Sequence, residues 1–362
     1  MQDIVNSGSY RLAPEQARLA CSQILQSVGL KQEDAATVVD NLLFADLRGV
    51  SSHGISRMKM YTDRARKGHY NVMPNIQVVH DEGSSILLDG DNGFGAVIGK
   101  HAMELCIAKA KEYGSAVCSV RRSNHFGAAS YYTAMASSQD MIGFSCTNSP
   151  PNMAPFGSRE SILGTNPFSV ALPAGKHPPM ILDIATSNVA RGNILNAAKE
   201  NRPIPDGWAI DKHGNPTNDP QLALQGSVLP FGGHKGSGIA IVIDAMCGIL
   251  SGAAFGRHIS KLTGDTQGTG ANIGHFFMAI DIAALQDVAQ FKVRMDQMID
   301  ELKAAEKSAG VSEILAPGEL EARKSQYNQK NGIAVSGATL KELLSLCAEL
   351  SVEEHLLDSL LS

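Results

Sequence analysis

The chain has 362 residues, 43% of them hydrophobic and 19% charged, with a formal net charge of -5. This length exceeds one average domain and buries a sizeable core, and the mildly acidic balance leaves no basic footprint for nucleic acid. No run approaches the roughly 18 uninterrupted apolar residues of a membrane helix, and residues 1–12 lack the basic-then-apolar pattern of a secretory leader.

The six cysteines (Cys21, Cys106, Cys118, Cys146, Cys247 and Cys347) stand singly, with no C-x-x-C pair. The expectation is buried free thiols in a cytoplasmic protein. Apolar residues at helical spacing predict helices over 13–28 (Leu19, Ile24, Leu25, Val28), 33–47 (Val38, Val39, Leu42, Leu43) and 55–66. The polar, acidic residues 31–34 suit a helix start. Over 75–88 the period shifts to alternation. A helix over 97–113 closes at Gly114, and short β-branched runs at 116–120, 141–145, 168–172 and 180–184 read as strands. Helices over 128–136 and 190–199 fall between them.

The stretch 201–226, rich in Pro, Gly, Asn and Asp, reads as a long irregular loop. Residues 238–250 read as a buried apolar helix, and the glycine-rich 252–274 as a flexible lid or interface loop. A strand over 276–280 leads to a charged amphipathic helix over 283–306, and after Pro317 the chain returns to helices, the last over 338–361. Mixed strands and helices predict an α/β fold. The helical segments 1–75 and 317–362 are expected to pack together beside an α/β cofactor- and substrate-binding domain over 76–316.

In DLRGVSSHGISRMKMY, His53, Arg57 and Tyr61 follow each other at intervals of four, so a helix starting near Ser52 would project all three from one face. A histidine there can give a proton to a developing alkoxide. An arginine beside it can grip a carboxylate with two parallel hydrogen bonds. A solvated basic face is the competing account. In RRSNHFGAASYY, His125 follows a predicted strand, on the kind of turn that presents active-site groups. A helix cap at Ser123 or Asn124 explains the same pattern.

SCTNSPPNMAPFG and ILGTNPF place small polar residues and prolines at strand ends, where α/β sheets bind ligands; turn chemistry explains them equally well. LDIATSNVARG ends a strand at Asp183 and offers Thr186, Ser187 and Asn188 before a helical run, suited to a phosphate or ribose or to capping by Ser187. FGGHKGSG carries Lys235 just ahead of the apolar helix, either an anion-binding turn or a plain junction. It is not a Walker A loop, and Gly93, Gly95 and Gly99 have the wrong spacing for a G-x-G-x-x-G dinucleotide fingerprint. His53, His125, His234 and His275 are scattered, so no metal site is expected.

Together these stretches resemble the malate/L-lactate dehydrogenase family of the second type, which is unrelated to the Rossmann-type enzymes of similar name. That family also includes ureidoglycolate, sulfolactate and diketogulonate oxidoreductases and a cyclic imino-acid reductase. The resemblance runs in order through SSHGISR, SNHFGAASYY, GTNPF, DIATSNVARGNI, IPDGWAIDKHGNPTNDP, PFGGHKGSG, GHFFMAID and APGELE. It implies a family-specific, non-Rossmann NAD(P)-binding fold, a homodimer, NAD or NADP as cofactor, and a small 2-oxo or 2-hydroxy acid as substrate. It further implies His53 as proton donor and acceptor, His125 as a second acid/base or substrate contact, and Asp183 as the group orienting His53. Arg57 would hold the substrate carboxylate, with Arg48, Ser52 and Tyr61 around it. Ser149, Ala185, Thr186, Ser187, Lys235, Gly236, Pro317, Gly318 and Glu319 would contact the dinucleotide. Reduction of a C=N bond in a cyclic imino acid is the alternative activity.

Three departures bear on the pocket rim. Ser237 stands where many members have tyrosine, Asn201 and Arg202 follow Glu200 where glycine is common, and the segment 264–270 is idiosyncratic.

Overall fold

The computed structural model describes residues 9–262 and 270–352. Strand β1 (Ser9–Leu12) leads into helices α1 (Pro14–Ser27) and α2 (Gln32–Leu47), then two 3₁₀ turns (Ser51–His53 and Ile55–Arg57) and α3 (Met58–Arg66). Next come β2 (Gln77–Glu82), β3 (Ser85–Asp89), α4 (Gly95–Tyr113), β4 (Ser115–Ser123), α5 (Ala129–Ser137), β5 (Met141–Thr147), β6 (Phe168–Leu172) and β7 (Met180–Ile184). α6 (Arg191–Lys199), β8 (Ala209–Ile210), β9 (Pro216–Thr217), α7 (Pro220–Gln225), β10 (Ser227–Val228) and α8 (His234–Asp244) follow, and α8 continues into a π turn (Ala245–Ile249). β11 (Ile273–Asp281), α9 (Val288–Ala304), α10 (Glu319–Asn331), β12 (Ile333–Ser336) and α11 (Gly337–Glu349) complete the described chain.

The central sheet has the order β2-β3-β4-β11-β5-β6-β7, and of its neighbouring pairs β3–β4 alone is parallel. This is a mixed α/β fold, not the parallel doubly wound sheet of the Rossmann class. β11, late in sequence, sits in the middle, and alternation sends its side chains to both faces. Phe277 and Ala279 pack with α4 and α5, while Phe276 packs with Cys146, Ile243 and Cys247 beneath α8. Burial on both faces explains why FFMAI (276–280) is a continuous apolar run.

The helical layer is built from both ends of the chain. β1 pairs antiparallel with β12, and Leu12, Ile24, Leu25, Leu42 and Leu43 share one core with Ile333, Leu340, Leu343 and Leu346. Burying each such side chain contributes roughly 1.5–3 kcal/mol.

Several elements depart from the sequence expectation. The stretch 201–226 is not an irregular loop: β10-β8-β9 form a small sheet, and Asp219 caps α7 by accepting the Gln221 and Leu222 N–H groups. Val228, Ala209, Ala223 and Ile204 close a core there with Met153 and Leu163. The apolar helix expected at 238–250 starts at His234, and it is not buried all round, since Ile241, Val242, Ile249 and Leu250 are 51–64% exposed. Leu19 likewise faces outward at 54% exposure. The amphipathic helix begins at Val288 because the Asp287 carboxylate caps it. Residues 263–269 of the glycine-rich stretch, most of 264–270 with them, and residues 353–361 of the last expected helix lie outside the described residues.

Candidate active site

The site forms where the helical layer meets the sheet. Asp46, buried in the last turn of α2, accepts the Ile55 N–H at 2.7 Å through Oδ2. Its carboxylate lies so close to Gly54 that a Cβ there would sit 1.9 Å from Oδ1. This contact breaks the helix that the spacing of four predicts. Residues 51–57 form the two 3₁₀ turns, joined at Gly54 in an extended conformation, and α3 starts only at Met58. His53, Arg57 and Tyr61 still converge, but from two turns and a helix rather than from one helical face. Burial pushes the Asp46 carboxyl up to about 7, with the Ile55 N–H working in the opposite direction.

Ser52 ties the site together. Its Oγ lies 3.0 Å from His53 Nδ1, and its carbonyl accepts from Arg57 Nε at 2.6 Å. Burial, and after it the Arg57 charge, lowers His53 to about 4, so the imidazole is neutral and able to accept a proton. His125 approaches on the loop after β4, its ring 5.6 Å from that of His53 and within 22° of parallel. Its Nδ1 lies 2.7 Å from Tyr61 Oη. Burial first, then Arg57, His53 and His275, hold His125 well below the ordinary histidine range.

Residues that carry no obvious motif hold this loop in place. Asn124, expected as a possible cap, instead donates to the Asn92 and Gly93 carbonyls and accepts the Ala271 N–H, while α5 is capped at Ala128. Asn41 of α2 donates to the Phe126 carbonyl at 3.2 Å and accepts the Ala128 N–H at 3.1 Å. Gly127, at φ +78°, passes so close that a Cβ would meet Asn41 Oδ1 at 1.8 Å. Behind them, the fully buried His275 on β11 reaches Thr147 Oγ1 on β5 and Ser123 Oγ on β4, both at 2.7 Å. It straps the ends of three strands and stacks on Phe126. Asn41 and Asp46 went unnoticed in the sequence, and their only signal was polarity inside otherwise apolar segments.

A cavity of about 570 Å³ opens beside His53, within the size range of ligand sites. Ser52, Arg48 and Phe44 wall it on the helical side, and Gly127–Ser130 with Ile181–Ala185 wall it on the sheet side. Pro317, Gly318 and Glu321 close a third side. Arg48 lies over the Phe44 ring, 3.4 Å from its centroid, and burial, opposed by Glu321, lowers it to about 10. Asp183 faces the cavity, but its Oδ2 accepts the Ser130 N–H at 2.9 Å, and the hydrogen bond that orients His53 comes from Ser52. Burial raises the Asp183 carboxyl.

The residues expected around a dinucleotide divide. Ala185, Pro317 and Gly318 line the cavity. Ser149 Oγ is buried without a hydrogen-bond partner among the described residues, the kind of vacancy a ligand hydroxyl or phosphate fills. Thr186 gives both N–H and Oγ1 to the Thr165 carbonyl, and Ser187 Oγ donates to Val189 O, so Ala190, not Ser187, caps α6. Lys235 and Gly236 stand in the first turn of α8 rather than ahead of it, with Lys235 exposed and outside the cavity wall. The Glu319 carboxylate turns away. Against the upward push of burial, Lys303, the Ala316 N–H and Arg323 hold it down to about 2. Among the described residues no group of three or more His, Cys, Asp or Glu gathers as for a metal ion, and no helix is long and apolar enough to cross a membrane.

A neutral imidazole on the wall of a cavity of ligand size, with the Arg57 guanidinium acting on it although Arg57 is not among the residues lining that cavity, is the equipment of an enzyme that exchanges a proton with a small anionic substrate. The family model described as malate/L-lactate dehydrogenase matches residues 12–344, and the chain belongs to that family. The L-sulfolactate dehydrogenase of Methanocaldococcus jannaschii is 40% identical over 95% of this chain and 99% of its own length. A solved sulfolactate dehydrogenase of the same organism superposes with a TM-score of 0.90 at 38% identity, covering 98% of this chain and 100% of that one. The malate dehydrogenase of Pyrococcus horikoshii is 40% identical over 91% of this chain and 93% of its own. A solved Δ1-piperideine-2-carboxylate reductase from Pseudomonas syringae has a TM-score of 0.83 at 28% identity, covering 93% of this chain and 99% of that one. Relatives whose names carry a cofactor include ureidoglycolate dehydrogenase (NAD(+)) of Escherichia coli K12, 36% identical over 89% of this chain and 91% of its own, and (2R)-3-sulfolactate dehydrogenase (NADP(+)) of Chromohalobacter salexigens, 32% over 77% and 83%.

Proposed function

We propose that this enzyme interconverts a small 2-hydroxy acid and its 2-oxo acid, of the malate, lactate or sulfolactate type. It is an NAD(P)-dependent oxidoreductase acting on CH–OH donors, as its family membership and relatives establish. The observation that carries the substrate reading is that Ser52 and His53 line the cavity and that Arg57, which does not itself line it, is anchored to the same Ser52. Arg57 holds the substrate carboxylate, and that grip brings the neighbouring C2 oxygen to His53. In the oxidation direction neutral His53 takes the hydroxyl proton; in reduction it returns one to the developing alkoxide. Alignment and the cationic surroundings supply much of the acceleration.

The nicotinamide, when bound, supplies the hydride chemistry. Ser149, Ala185, Thr186, Ser187, Pro317 and Gly318 are the residues proposed to hold the dinucleotide, with Lys235 and Gly236 behind them. Glu319 supports this wall through its ion pairs rather than by direct contact. Arg48 and Tyr61 complete the substrate side, and Asp183 acts from the α5 end of the cavity.

A second reading, reduction of a C=N bond in a cyclic imino acid, is favoured by the likeness to the piperideine-carboxylate reductase. It needs the same carboxylate grip. The test is loss of reduced-nicotinamide absorbance with NADH and NADPH against a panel of 2-oxo acids and cyclic imino acids. Turnover of a 2-oxo acid supports the first reading and fixes the cofactor. Turnover of imino acids alone moves the assignment to the second. Silence together with no dinucleotide binding overturns both.

We further infer a cytoplasmic homodimer without nucleic-acid or membrane partners, organised as helical segments 1–75 and 317–362 around the domain 76–316. The six unpaired, buried cysteines support a reducing compartment. The exposed apolar face of α8 supports self-association.

A further inference from the structure

We propose that His275 is a positioning residue that sets the spacing between two stretches of the cavity wall, the stretch after the His125 loop and the stretch around Thr165 and Pro167. The proposal rests on the reading above in which this cavity takes the substrate and the dinucleotide.

The His275 ring is fully buried and lies against Phe126, with centroids 4.6 Å apart and planes 14° from parallel. Its Nδ1 meets Thr147 Oγ1 and its Nε2 meets Ser123 Oγ, both at 2.7 Å. The two hydroxyls fix its tautomer from opposite ends. Thr147 Oγ1 lies 2.9 Å from the Asn148 carbonyl and 3.1 Å from the Gly274 carbonyl, and a carbonyl only accepts. The hydroxyl's single hydrogen goes there, so its oxygen accepts from Nδ1–H. Ser123 is buried too, and among the described residues its hydroxyl has no other hydrogen-bond partner than the ring. A buried hydroxyl hydrogen without an acceptor is costly, so Ser123 donates and Nε2 accepts. Burial lowers His275 to about 3, with the Asn124 and Gly274 carbonyls working in the opposite direction, so the ring stays neutral near pH 7.

Each end of this chain of hydrogen bonds leads to the cavity. β4 carries one residue more than β11 between the pairs Ile273–Ser123 and His275–Val120, a bulge of the kind that re-aims a side chain beside an active site. From Ser123 the chain runs through Asn124 to His125, whose ring stacks beside His53, and on to Gly127–Ser130 in the cavity wall. On the other arm, Thr147 gives its N–H to the carbonyl of Pro167, which lines the same cavity, and stands two residues before Ser149. The neighbouring Thr165 also lines it and accepts both bonds from Thr186. One ring thus joins the stretch beside the proton-transferring histidine to the stretch proposed to hold the dinucleotide.

Two substitutions separate the arms, because an asparagine amide nitrogen can take the place of Nδ1 and a glutamine amide oxygen the place of Nε2. His275→Asn keeps the donor to Thr147 and loses the bond from Ser123. It should hold NADH or NADPH as tightly as the parent, followed by fluorescence of the bound cofactor, and lower kcat about tenfold. His275→Gln keeps the acceptor for Ser123 and loses Thr147. It should raise the dinucleotide Kd about tenfold and keep kcat at saturating cofactor. Ser123→Ala and Thr147→Val leave the ring in place and should reproduce the first and second patterns in turn, which guards against a histidine variant that does not fold. A ring that serves stability alone would give the same losses on both arms, and that result overturns the proposal. ¹⁵N NMR of the free protein adds a readout that needs neither ligand. The histidine signal missing from His275→Gln should show a protonated Nδ1 and a bare Nε2 across about pH 5 to 8. A hydrogen on Nε2, or a charged ring in that range, sinks the proposal. If the parent protein binds no dinucleotide, the functional reading falls instead, and the tautomer alone decides for or against the strap.

Discussion

At the scale of single residues, the site separates charge from proton transfer. Arg57 is held by one bond from Nε to a backbone carbonyl, which leaves the rest of its fork for a carboxylate. Arg57→Lys keeps the charge and loses the fork. It should lower kcat/KM by roughly 10- to 100-fold, mostly through KM, and unchanged kinetics on the identified acid would remove Arg57 from the substrate grip. His53 makes a separate prediction. Its depressed value means the neutral base persists until about pH 4. For oxidation, which needs the neutral form, kcat/KM should therefore hold as pH falls through the ordinary histidine range and drop only on approach to pH 4. Arg57 is the second cause of the depression after burial, so Arg57→Gln should move the His53 titration upward, as followed by NMR of its ring proton. A His53 titration unmoved in that variant would mean that burial alone sets its basicity.

At the scale of elements, one non-local contact decides how the catalytic turn is shaped. Asp46 sits against Gly54, which joins the turn carrying His53 to the turn carrying Arg57. Gly54→Ala should cost about 1–3 kcal/mol by overpacking, measured by denaturant unfolding, and should cut activity beyond what the loss of folded protein explains. Equal stability in the two proteins would show that Asp46 moves aside freely. This contact also marks the limit of what sequence periodicity conveys. The spacing of His53, Arg57 and Tyr61 correctly announced that they converge, yet the helix inferred from it is interrupted, because a glycine and a carboxylate eight residues apart meet in space. β6 and β7 were legible to the residue, since five-residue apolar runs bounded by turns leave little choice. β8, β9 and β10 were not, because strands of two residues carry no period. His275 looked like one more scattered histidine. That it is the strap across β4, β11 and β5 depends on pairing between residues more than a hundred positions apart.

At the scale of the whole molecule, the least legible feature was the face of α8. An apolar run reads the same in sequence whether its far side meets the core or another chain. Here Ala240, Ile243 and Cys247 point inward, while Ile241, Val242, Ile249 and Leu250 stand 51–64% exposed on one continuous stretch of helix and π turn. Surface apolar residues scattered singly are ordinary, but a contiguous set on a regular element is the mark of an interface. The proposed homodimer gives this face its partner, and the same elements carry Lys235 and Gly236 toward the strand ends, since the Phe231 N–H binds the Thr186 carbonyl and the Gly236 N–H binds Phe231. On that proposal, association and cofactor binding would be linked through α8. Val242→Glu combined with Leu250→Glu should shift the protein to monomer in sedimentation while leaving its circular dichroism intact, because neither side chain belongs to the core. The monomer should bind dinucleotide more weakly, since the N-terminal turn of α8 loses its support. A variant that still sediments as a dimer would place the interface elsewhere, and a monomer with unaltered dinucleotide affinity would break the link between assembly and site.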